Sequence, residues 1–326
     1  MKLKSNNWNK YLQDLSFYFR SSFAINKPKI FQVEVTNNCN LACIMCPYTE
    51  QTRKKGSMGM EVFKTIVDNG WLADSDFVRL HGMGEPLMNK KVFDLVEYAS
   101  NKNINTEIST NICLLNKNKA QKVIDSKLTQ IILSLDGMTK GTYEHIRAKA
   151  DFEKSVKNLN DFLDLKKKTK SNIYTVVQII FMKETADEVL DFVNYWKTHG
   201  ALDEIRIRFY SSWAMQEEHI NEQYESFVED NISVQRKNPC RLLWESVSVQ
   251  FDGKVVPCCR DFDSKYVLGD LNDNSLQEIW NGKKLKNLRK EHLDNNYDNI
   301  LCKNCINNFH NNSFSRFDSD NTIQQP

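Results

Sequence analysis

The chain is 326 residues long, and its 44 Lys and Arg residues against 42 Asp and Glu residues leave a formal charge of +2. This near balance argues against a dedicated nucleic-acid binder and against a protein that adheres to anionic membranes. Hydrophobic residues make up 40% of the chain, aromatic residues 11% and charged residues 26%. These values are close to globular averages, so disorder, collagen and coiled coil are excluded as the main class.

Residues 1–29 are expected to form an N-terminal helical segment. Trp8, Tyr11, Leu12 and Leu15 recur at near-helical spacing, which predicts a helix packed on the outside of the barrel that follows. Polar residues interrupt this segment before a signal-peptide core can develop, and no stretch of the chain approaches the roughly 18 apolar residues of a membrane span. We therefore expect a soluble, cytoplasmic protein with neither a membrane nor a nucleic-acid partner.

Between residues 30 and 212, short β-rich runs alternate with segments whose apolar residues recur at helical spacing. The runs are Ile30–Thr36, Phe77–His81, Ile104–Thr110, Gln130–Asp136, Ile173–Phe181 and Glu204–Tyr210. Strand and helix units in series predict a parallel sheet with helices outside. Because eight units close an α/β barrel, six units predict an α/β fold that is a partial (β/α)6 TIM-like barrel, open on one side.

The remainder of the chain predicts a connector, a second domain and a tail. Residues 213–239 are polar and are interpreted as a connector, and a small C-terminal domain is expected over residues 240–310. Within it, an Asp-Gly turn at Asp252 and Gly253 joins two short strands, Val247–Val249 and Val255–Val256. Residues 311–326 are rich in Asn and Ser and are expected to form a flexible tail.

The cysteines predict two metal sites. An odd count of nine cysteines without an export signal argues against a disulfide framework. Cys39, Cys43 and Cys46 follow the first strand, at the catalytic face of an α/β barrel. Three thiolates on so short a loop can hold three irons of a 4Fe–4S cluster and leave the fourth iron open for chemistry. A structural zinc site is the alternative, although zinc normally takes four protein ligands.

This Cys-x3-Cys-x2-Cys loop after the first strand resembles that of the radical S-adenosylmethionine (SAM) enzymes. The resemblance implies that the open iron binds SAM and that one electron from the cluster cleaves it. The resulting 5′-deoxyadenosyl radical then abstracts a hydrogen atom from the substrate. It also implies a reducing electron donor such as flavodoxin or ferredoxin.

Further motifs occur in the order that the family shows, at successive strand ends. They are an aromatic residue after the last cysteine, a glycine-rich stretch after the second strand, a Ser-Thr-Asn stretch after the third, and a Ser with a later Arg after the fourth. The resemblance implies SAM contacts at Tyr48, Met83, Gly84, Glu85, Ser109, Asn111, Ser134 and Arg147.

A second cysteine group lies in the C-terminal domain. Cys240, Cys258, Cys302 and Cys305 supply four thiolates, enough for a zinc ion or a complete 4Fe–4S cluster. The sequence around them resembles the SPASM domain, or its shortened twitch form, of radical SAM enzymes, and the cysteine spacing is similar to that of radical SAM aminocyclitol dehydrogenases. The resemblance implies one auxiliary 4Fe–4S cluster, with Cys258 as ligand and Cys259 as its neighbour.

Alternation along the strands predicts the residues that line the barrel lumen. These candidates for substrate contact are Glu34, Gln178, Arg206, Arg208 and Tyr210. Two lumenal arginines indicate a small polar substrate with an anionic group, and a network of Arg–Glu pairs that braces the barrel is the alternative. The proton acceptor stays unassigned among Glu34, Asp136, Glu85 and His81.

Three functions remain open on this basis. The leading hypothesis, implied by the resemblance, is a radical SAM oxidoreductase that oxidises a sugar-like or cyclitol alcohol and passes an electron to the auxiliary cluster. The second is a radical SAM enzyme that matures a peptide by oxidation, crosslinking or epimerisation. The third is a non-enzymatic iron–sulfur or zinc scaffold, which leaves the ordered SAM motifs unexplained.

Overall fold

The structure is a computed structural model that describes residues 6–69, 71–72, 77–227, 238–303, 305, 315–318 and 323–324. Helix α1 (Asn6–Tyr18) is followed by six strands, one in each of the six predicted runs. These are β1 (Lys29–Val33), β2 (Val78–Arg79), β3 (Thr106–Thr110), β4 (Gln130–Ser134), β5 (Tyr174–Phe181) and β6 (Glu204–Phe209). The prediction of six strands is confirmed.

Helices fill the intervals between these strands. They are α2 (Met60–Asp68), α3 (Val92–Ser100), α4 (Lys117–Asp125), α5 (Lys140–Ile146), α6 (Phe152–Thr169) and α7 (Val189–Trp196). Side-chain caps set where two of them begin, because Asn116 accepts a hydrogen bond from the amide of Lys119 and Asp151 from that of Lys154. The mixed α/β class is confirmed.

Strands β2 to β6 form a parallel sheet in which neighbours in sequence are neighbours in space. Strand β1 differs from the simple barrel that the sequence predicts, since it pairs in parallel with β7 (Ser246–Val249) of the C-terminal domain. Strand β2 has only two residues, and Arg79 Nη1 donates to the Phe31 carbonyl of β1 at 3.4 Å. The barrel strands therefore continue directly into the second domain.

The C-terminal domain contains the predicted hairpin. After α8 (Glu218–Phe227) and α9 (Leu242–Glu245), β7 pairs antiparallel with β8 (Lys254–Val256), and β8 with β9 (Gly269–Asp270). Gly253 has a φ of 93°, in the left-handed region that favours glycine. Helices α10 (Leu276–Trp280) and α11 (Lys283–Leu293) follow.

The final segment differs in part from the flexible tail that its composition predicts. Strand β10 (Ser315–Asp318) pairs antiparallel with β6, and β11 (Ile323–Gln324) pairs with β10. The edge of β6 offers unpaired backbone groups, which explains why a short polar segment adds to it. The rest of the 311–326 segment lies outside the described residues, and the domain limits stay predictions.

Helix α1 packs against the second domain, which corrects the prediction that it covers the barrel. Gln13 Nε2 donates to Glu245 Oε1 at 2.8 Å, and the Phe17 ring meets the Trp244 ring edge-on at 5.3 Å. The reason is the pairing of β1 with β7, which brings α9 beside the start of the chain. Over the described ranges, the helices are too short or too polar to cross a membrane.

Candidate functional site

The first cysteine loop follows β1 and is fastened to the protein on two sides. The Tyr48 hydroxyl accepts a hydrogen bond from the Cys39 amide and donates to the Cys39 carbonyl, both at 3.1 Å. The loop also joins the end of α5, because the amide of Ile44 donates to the carbonyl of Ile146 at 3.0 Å. Cys39 and Cys43 lie close enough to Cys46 for their charges to raise its pKa. The structure thus brings the three predicted thiols together, with Tyr48 as a clamp on their loop.

The glycine motif after β2 lies directly against this loop. A Cβ atom at Gly84 would lie 2.4 Å from the Thr36 carbonyl oxygen and 2.6 Å from that of Asn38, so only glycine fits there. The next amide, that of Glu85, donates to the Asn38 carbonyl at 2.8 Å. The glycine motif therefore packs against the backbone that leads into the cysteine loop.

The Glu85 carboxylate joins this motif to the end of β3. It accepts hydrogen bonds from Thr110 Oγ1 and from the Asn111 amide, each at 2.8 Å. Burial raises the pKa of Glu85. Asn111 Nδ2 in turn donates to Asn40 Oδ1 at 3.0 Å and lies 3.9 Å from Cys39 Sγ. The buried Glu85 carboxylate therefore links the glycine motif to the end of β3, and both of its oxygens already accept hydrogen bonds.

A buried ion pair stands beside Cys43. Arg147 Nε and Nη2 donate to Asp136 Oδ2 at 2.8 and 2.5 Å, and Asp136 Oδ1 accepts from the Ile180 amide at 2.7 Å. Burial raises the pKa of Cys43, while the positive charge of Arg147 opposes that increase. The predicted contact Ser134 lies close by in β4, with its hydroxyl oxygen 3.3 Å from that of Ser109.

Breaking this pair is expected to destabilise the fold strongly. Asp136→Asn leaves the Arg147 guanidinium buried without its counter-charge, so the free energy of unfolding should fall by about 3–5 kcal/mol. Urea denaturation of the metal-free protein at neutral pH measures this change. Asp161→Asn, which breaks the exposed pair of Lys157 and Asp161, is the matched control and should have little effect. Equal losses in the two variants would contradict the assignment.

The protonation of the first thiols fits metal ligation. Burial raises the pKa of the Cys39 thiol to about 11, and it also raises the pKa of Cys46. Thiols in such surroundings stay protonated at neutral pH unless a cation compensates the thiolate charge. A metal centre supplies that charge, and its binding releases the protons.

The second cysteine group gathers around Cys258. Burial, together with the neighbouring thiols of Cys259, Cys305, Cys302 and Cys240, raises the pKa of Cys258 well above its usual value. Local hydrogen bonds hold the loop of Cys302. The Cys302 amide donates to Asn299 Oδ1 at 2.8 Å, and the Cys305 amide donates to the Cys302 carbonyl at 3.1 Å.

Adjacent Cys259 has a different environment. Burial raises its pKa, and the positive charges that oppose the increase belong to Arg260, Arg208 and Arg79. Two of these arginines come from barrel strands. Cys259 therefore lies near the barrel arginines, and Cys258 lies near the other thiols of the group.

At one end of the lumen, one ion pair lies within β6 and a second connects β2 with β3. Arg206 Nε pairs with Glu204 Oε1 at 2.6 Å, and Arg79 Nε lies 3.5 Å from Glu107 Oε1. Gln130 Nε2 donates to the second Glu107 oxygen at 2.7 Å. For Arg206, the structure therefore agrees with the alternative of a bracing Arg–Glu network.

Two other candidates for substrate contact, Glu34 and Tyr210, already contact other residues of the protein. Glu34 forms a bidentate ion pair with Arg53, at 2.9 and 2.8 Å, and accepts from the Met83 amide at 3.3 Å. Tyr210 does not line the lumen as expected but is buried in an apolar cluster with Met45. The reason is that β6 ends at Phe209, so the strand alternation does not extend to Tyr210.

One cavity has walls from both domains. Gln32, Glu34 and Met83 line it from the barrel side, and Cys258 and Cys259 line it from the second domain. Met83 belongs to the glycine motif beside the first cysteine loop. The cavity therefore lies between the elements that carry the two cysteine groups.

A chain of hydrogen bonds also joins the two cysteine groups. It runs through residues that the sequence analysis did not identify. Trp213 Nε1 donates to the Met45 carbonyl of the first loop at 3.0 Å. Gln216 Nε2 donates to the carbonyls of Trp213 and Arg260, both at 2.8 Å. Arg260 Nη1 lies 4.0 Å from Cys305 Sγ. These residues belong to no sequence motif and to no periodic pattern, so the link could not be predicted from the sequence.

Comparisons with known proteins match both parts of the chain. The radical SAM superfamily matches residues 33–195, and SPASM, an iron–sulfur cluster-binding domain, matches residues 240–306. Mycofactocin maturase MftC of Mycolicibacterium smegmatis is 24% identical over 182 residues, which are 54% of this chain and 44% of that protein. The matched region thus spans less than half the length of that relative.

Two further similarities extend over most of the chain. The S-adenosyl-L-methionine-dependent 2-deoxy-scyllo-inosamine dehydrogenase of Niallia circulans is 26% identical over 290 residues, 85% of this chain and 92% of that protein. The solved structure of Streptococcus suis SuiB bound to precursor peptide SuiA has a TM-score of 0.62 and 14% identity, and covers 85% of this chain and 68% of that one. This second likeness shows a shared fold.

The superfamily match covers half of the chain and includes the three cysteines of the first loop. A radical SAM domain binds a 4Fe–4S cluster and SAM, and a SPASM domain binds auxiliary iron–sulfur clusters. The cysteine groups, the ordered motifs beside them and the two matches agree. The chain belongs to the radical SAM superfamily and carries a C-terminal SPASM domain.

Proposed function

We propose that this enzyme is a radical SAM oxidoreductase that oxidises one hydroxyl-bearing carbon of a small, sugar-like or cyclitol substrate to a carbonyl. The observation that carries the proposal is the cavity whose walls combine Glu34 and Met83 with Cys258 and Cys259. The cavity itself has room for about one water molecule, so it marks where the SAM motifs and the auxiliary thiols face each other rather than a formed substrate pocket, and a substrate would bind between them. The similarity to the Niallia circulans dehydrogenase over most of both chains supports the same reaction class.

The cysteines divide into two ligand sets in this proposal. Cys39, Cys43 and Cys46 would hold the SAM-binding cluster, and Cys240, Cys258, Cys302 and Cys305 the auxiliary cluster. When bound, these groups with SAM supply a 5′-deoxyadenosyl radical and an electron acceptor. Arg147 and Ser134 would supply a guanidinium and a hydroxyl to the SAM carboxylate, and Tyr48 keeps the loop in place.

The proposed reaction balances without an outside oxidant. The substrate alcohol loses a hydrogen atom, which becomes part of 5′-deoxyadenosine, and then a proton and one electron, which leaves a carbonyl. The electron released equals the electron spent on cleaving SAM to methionine. Glu34, Asp136 and Glu85 all hold protein partners already, so the proton acceptor stays unassigned.

Isotope transfer tests this function directly. A cyclitol or sugar deuterated at a hydroxyl-bearing carbon should transfer deuterium into 5′-deoxyadenosine, with one equivalent of carbonyl product per 5′-deoxyadenosine, measured by mass spectrometry. Deuterium transfer from a precursor peptide, with all deuterated polyols left unchanged, would replace this proposal by the peptide-maturation alternative.

A buried charge beside the auxiliary site should tune its reduction potential. The Arg260 side chain is buried, and its guanidinium lies beside Cys305 Sγ. Because a nearby positive charge or donor favours the reduced cluster, Arg260→Met should lower the potential, while Arg260→Lys should change it less. Redox titration followed by electron paramagnetic resonance measures both values. An unchanged potential in Arg260→Met would contradict this role.

A further inference from the structure

One surface of the second domain is built from two segments that lie far apart in the sequence. The segment after α1 runs along α10 and α11, because the Ala24 amide donates to Asn281 Oδ1 at 3.0 Å and Asn281 Nδ2 donates to the Ala24 carbonyl at 2.9 Å. Arg289 Nη1, on α11, donates to the Ser22 carbonyl at 3.2 Å. The N-terminal segment and α11 therefore form one continuous surface.

Large apolar side chains of the N-terminal segment project from this surface. Ala24 and Asn26 are buried against α10, whereas the alternate residues Phe23 and Ile25 are 51% and 52% exposed. Phe19, just after the end of α1, is 78% exposed. Single exposed apolar residues are common on proteins, but a group of them within one short segment indicates an interaction site.

The same surface is basic. Residues 8–29 and 283–294 together contain nine Lys and Arg residues against three Asp and Glu residues, in a chain whose formal charge is only +2. Arg20, Lys27 and Lys290 are exposed. The Arg20 guanidinium donates to the last carbonyl of α11, and Lys290 lies on the same side of the helix because it stands three residues before that carbonyl. The apolar side chains are therefore flanked by positive charges.

This surface adjoins the loops that carry the auxiliary thiols. The Cys240 amide donates to Nδ1 of His292, in the last turn of α11, at 3.1 Å. Asn299 Nδ2 donates to Glu291 Oε2 of the same turn at 3.5 Å, and Asn299 Oδ1 accepts from the Cys302 amide at 2.8 Å. The last turn of α11 thus connects the exposed surface with two of the auxiliary cysteine loops.

The chemistry of this surface favours a partner protein with an acidic face. Apolar side chains flanked by basic residues complement an apolar contact that carboxylates surround, and such complementarity speeds association. A second copy of this chain, docked through the same surface, would bring like charges together. The position beside the auxiliary loops suits a partner that exchanges electrons with the auxiliary site, because the proposed oxidation leaves one electron there in each turnover.

We propose that the surface formed by Phe19, Phe23, Ile25, Lys27 and Lys290 docks an acidic protein that carries single electrons on a flavin or an iron–sulfur group. One electron passes from the auxiliary site to the carrier, so the auxiliary site is oxidised by one electron and the carrier is reduced by one, and no covalent bond forms or breaks. The inference deepens the proposed function and rests on it for the direction of this transfer, whereas the docking itself depends only on the surface.

Binding of purified carriers tests the proposal. An acidic 2Fe–2S ferredoxin and, separately, an acidic flavodoxin, both oxidised, are titrated calorimetrically into the full-length, anaerobically reconstituted protein at about 50 and about 300 mM sodium chloride. At least one carrier should bind saturably, and more weakly at the higher salt concentration. Lys27→Glu combined with Lys290→Glu should weaken the binding about tenfold or more. Phe19→Ser should also weaken it and should leave its salt dependence unchanged.

A second pair of charge reversals is the matched control. Lys117→Glu combined with Lys154→Glu changes the total charge by the same amount at exposed lysines of barrel helices, and this variant should bind the carrier as the native protein does. Thermal melts show whether each variant is folded, and Phe19→Ser keeps the test valid if the Lys27 and Lys290 variant is not.

Four results would overturn the docking surface. They are no saturable binding of either carrier to the native protein, equally strong binding by the Lys27 and Lys290 variant, an equal loss in the control variant, and occupation of the surface by something else. Sedimentation with phosphatidylglycerol vesicles that the Lys27 and Lys290 reversals abolish would assign the surface to a membrane, and a dimer that Phe19→Ser dissociates would assign it to a second copy. Failure of polyol oxidation, with carrier binding and its sensitivity to the reversals retained, would overturn the proposed reaction and leave the docking surface standing.

Discussion

Cys43→Ala is expected to abolish the formation of 5′-deoxyadenosine from SAM. Cys43 is the central thiol of the first loop and lies beside the ion pair of Arg147 and Asp136. Loss of an outer-shell partner of a metal site lowers metal affinity or activity about 10- to 100-fold. Removal of one of the three cluster ligands should lower the rate of SAM cleavage by more than that. Chromatography of the reaction mixture after anaerobic reconstitution and reduction with dithionite measures the product.

Cys113→Ala provides a matched cysteine control. Cys113 lies outside both ligand sets, with its sulfur 3.4 Å from Ser155 Oγ. This variant should form 5′-deoxyadenosine at close to the native rate and bind the native amount of iron. Cleavage of SAM by Cys43→Ala at the rate of Cys113→Ala would exclude the first loop as the cluster site.

Cys258→Ala and Cys259→Ala are expected to differ strongly in iron content, although the two residues are adjacent. Cys258 has the thiols of Cys240, Cys302 and Cys305 nearby, whereas Cys259 has the barrel arginines nearby. Cys258→Ala should therefore lose the auxiliary cluster, and the iron content should fall from about eight to about four atoms per chain. Cys259→Ala should keep about eight, as measured by iron analysis and absorbance.

The same pair tests the auxiliary site as an electron acceptor. Cys258→Ala, like Cys302→Ala, should still cleave SAM without coupling it to product, because the first loop is untouched. Formation of the carbonyl product should stop. Full turnover by Cys302→Ala would show that the electron from the substrate goes elsewhere.

Much of the fold could be predicted because its signals are local. Runs such as Gln130–Asp136 and Ile173–Phe181 combine β-branched residues with flanking turns, and β4 and β5 form inside them. The pairing of β1 with β7 could not be predicted, because more than 200 residues separate the strands and many partners are compatible with their apolar pattern. The packing of α1 on the second domain follows from that long-range pairing and was missed with it.

In the candidate site, too, the features with local sequence signals could be predicted and those that depend on long-range contacts could not. The cysteine groups and the glycine motif are contiguous in sequence and carry their chemistry in residue type and spacing. The lumen depends on which side chains find partners across strands, and alternation alone cannot decide that. Arg206 and Arg208 are equivalent by alternation, yet Arg206 is buried in an ion pair with Glu204, whereas Arg208 is solvent-exposed. Arg79, on β2, stands two residues before His81 and could have been found by the same argument.

Iron counting combined with a 5′-deoxyadenosine assay tests the central claim most directly. The protein is reconstituted anaerobically with iron and sulfide, reduced with dithionite and incubated with SAM. Two clusters and a radical reaction predict about eight irons per chain together with 5′-deoxyadenosine. About four irons with cleavage would remove the electron acceptor from the proposed oxidation. Fully loaded protein that forms no 5′-deoxyadenosine, with or without a panel of sugars and cyclitols, would contradict the account and favour an iron–sulfur scaffold.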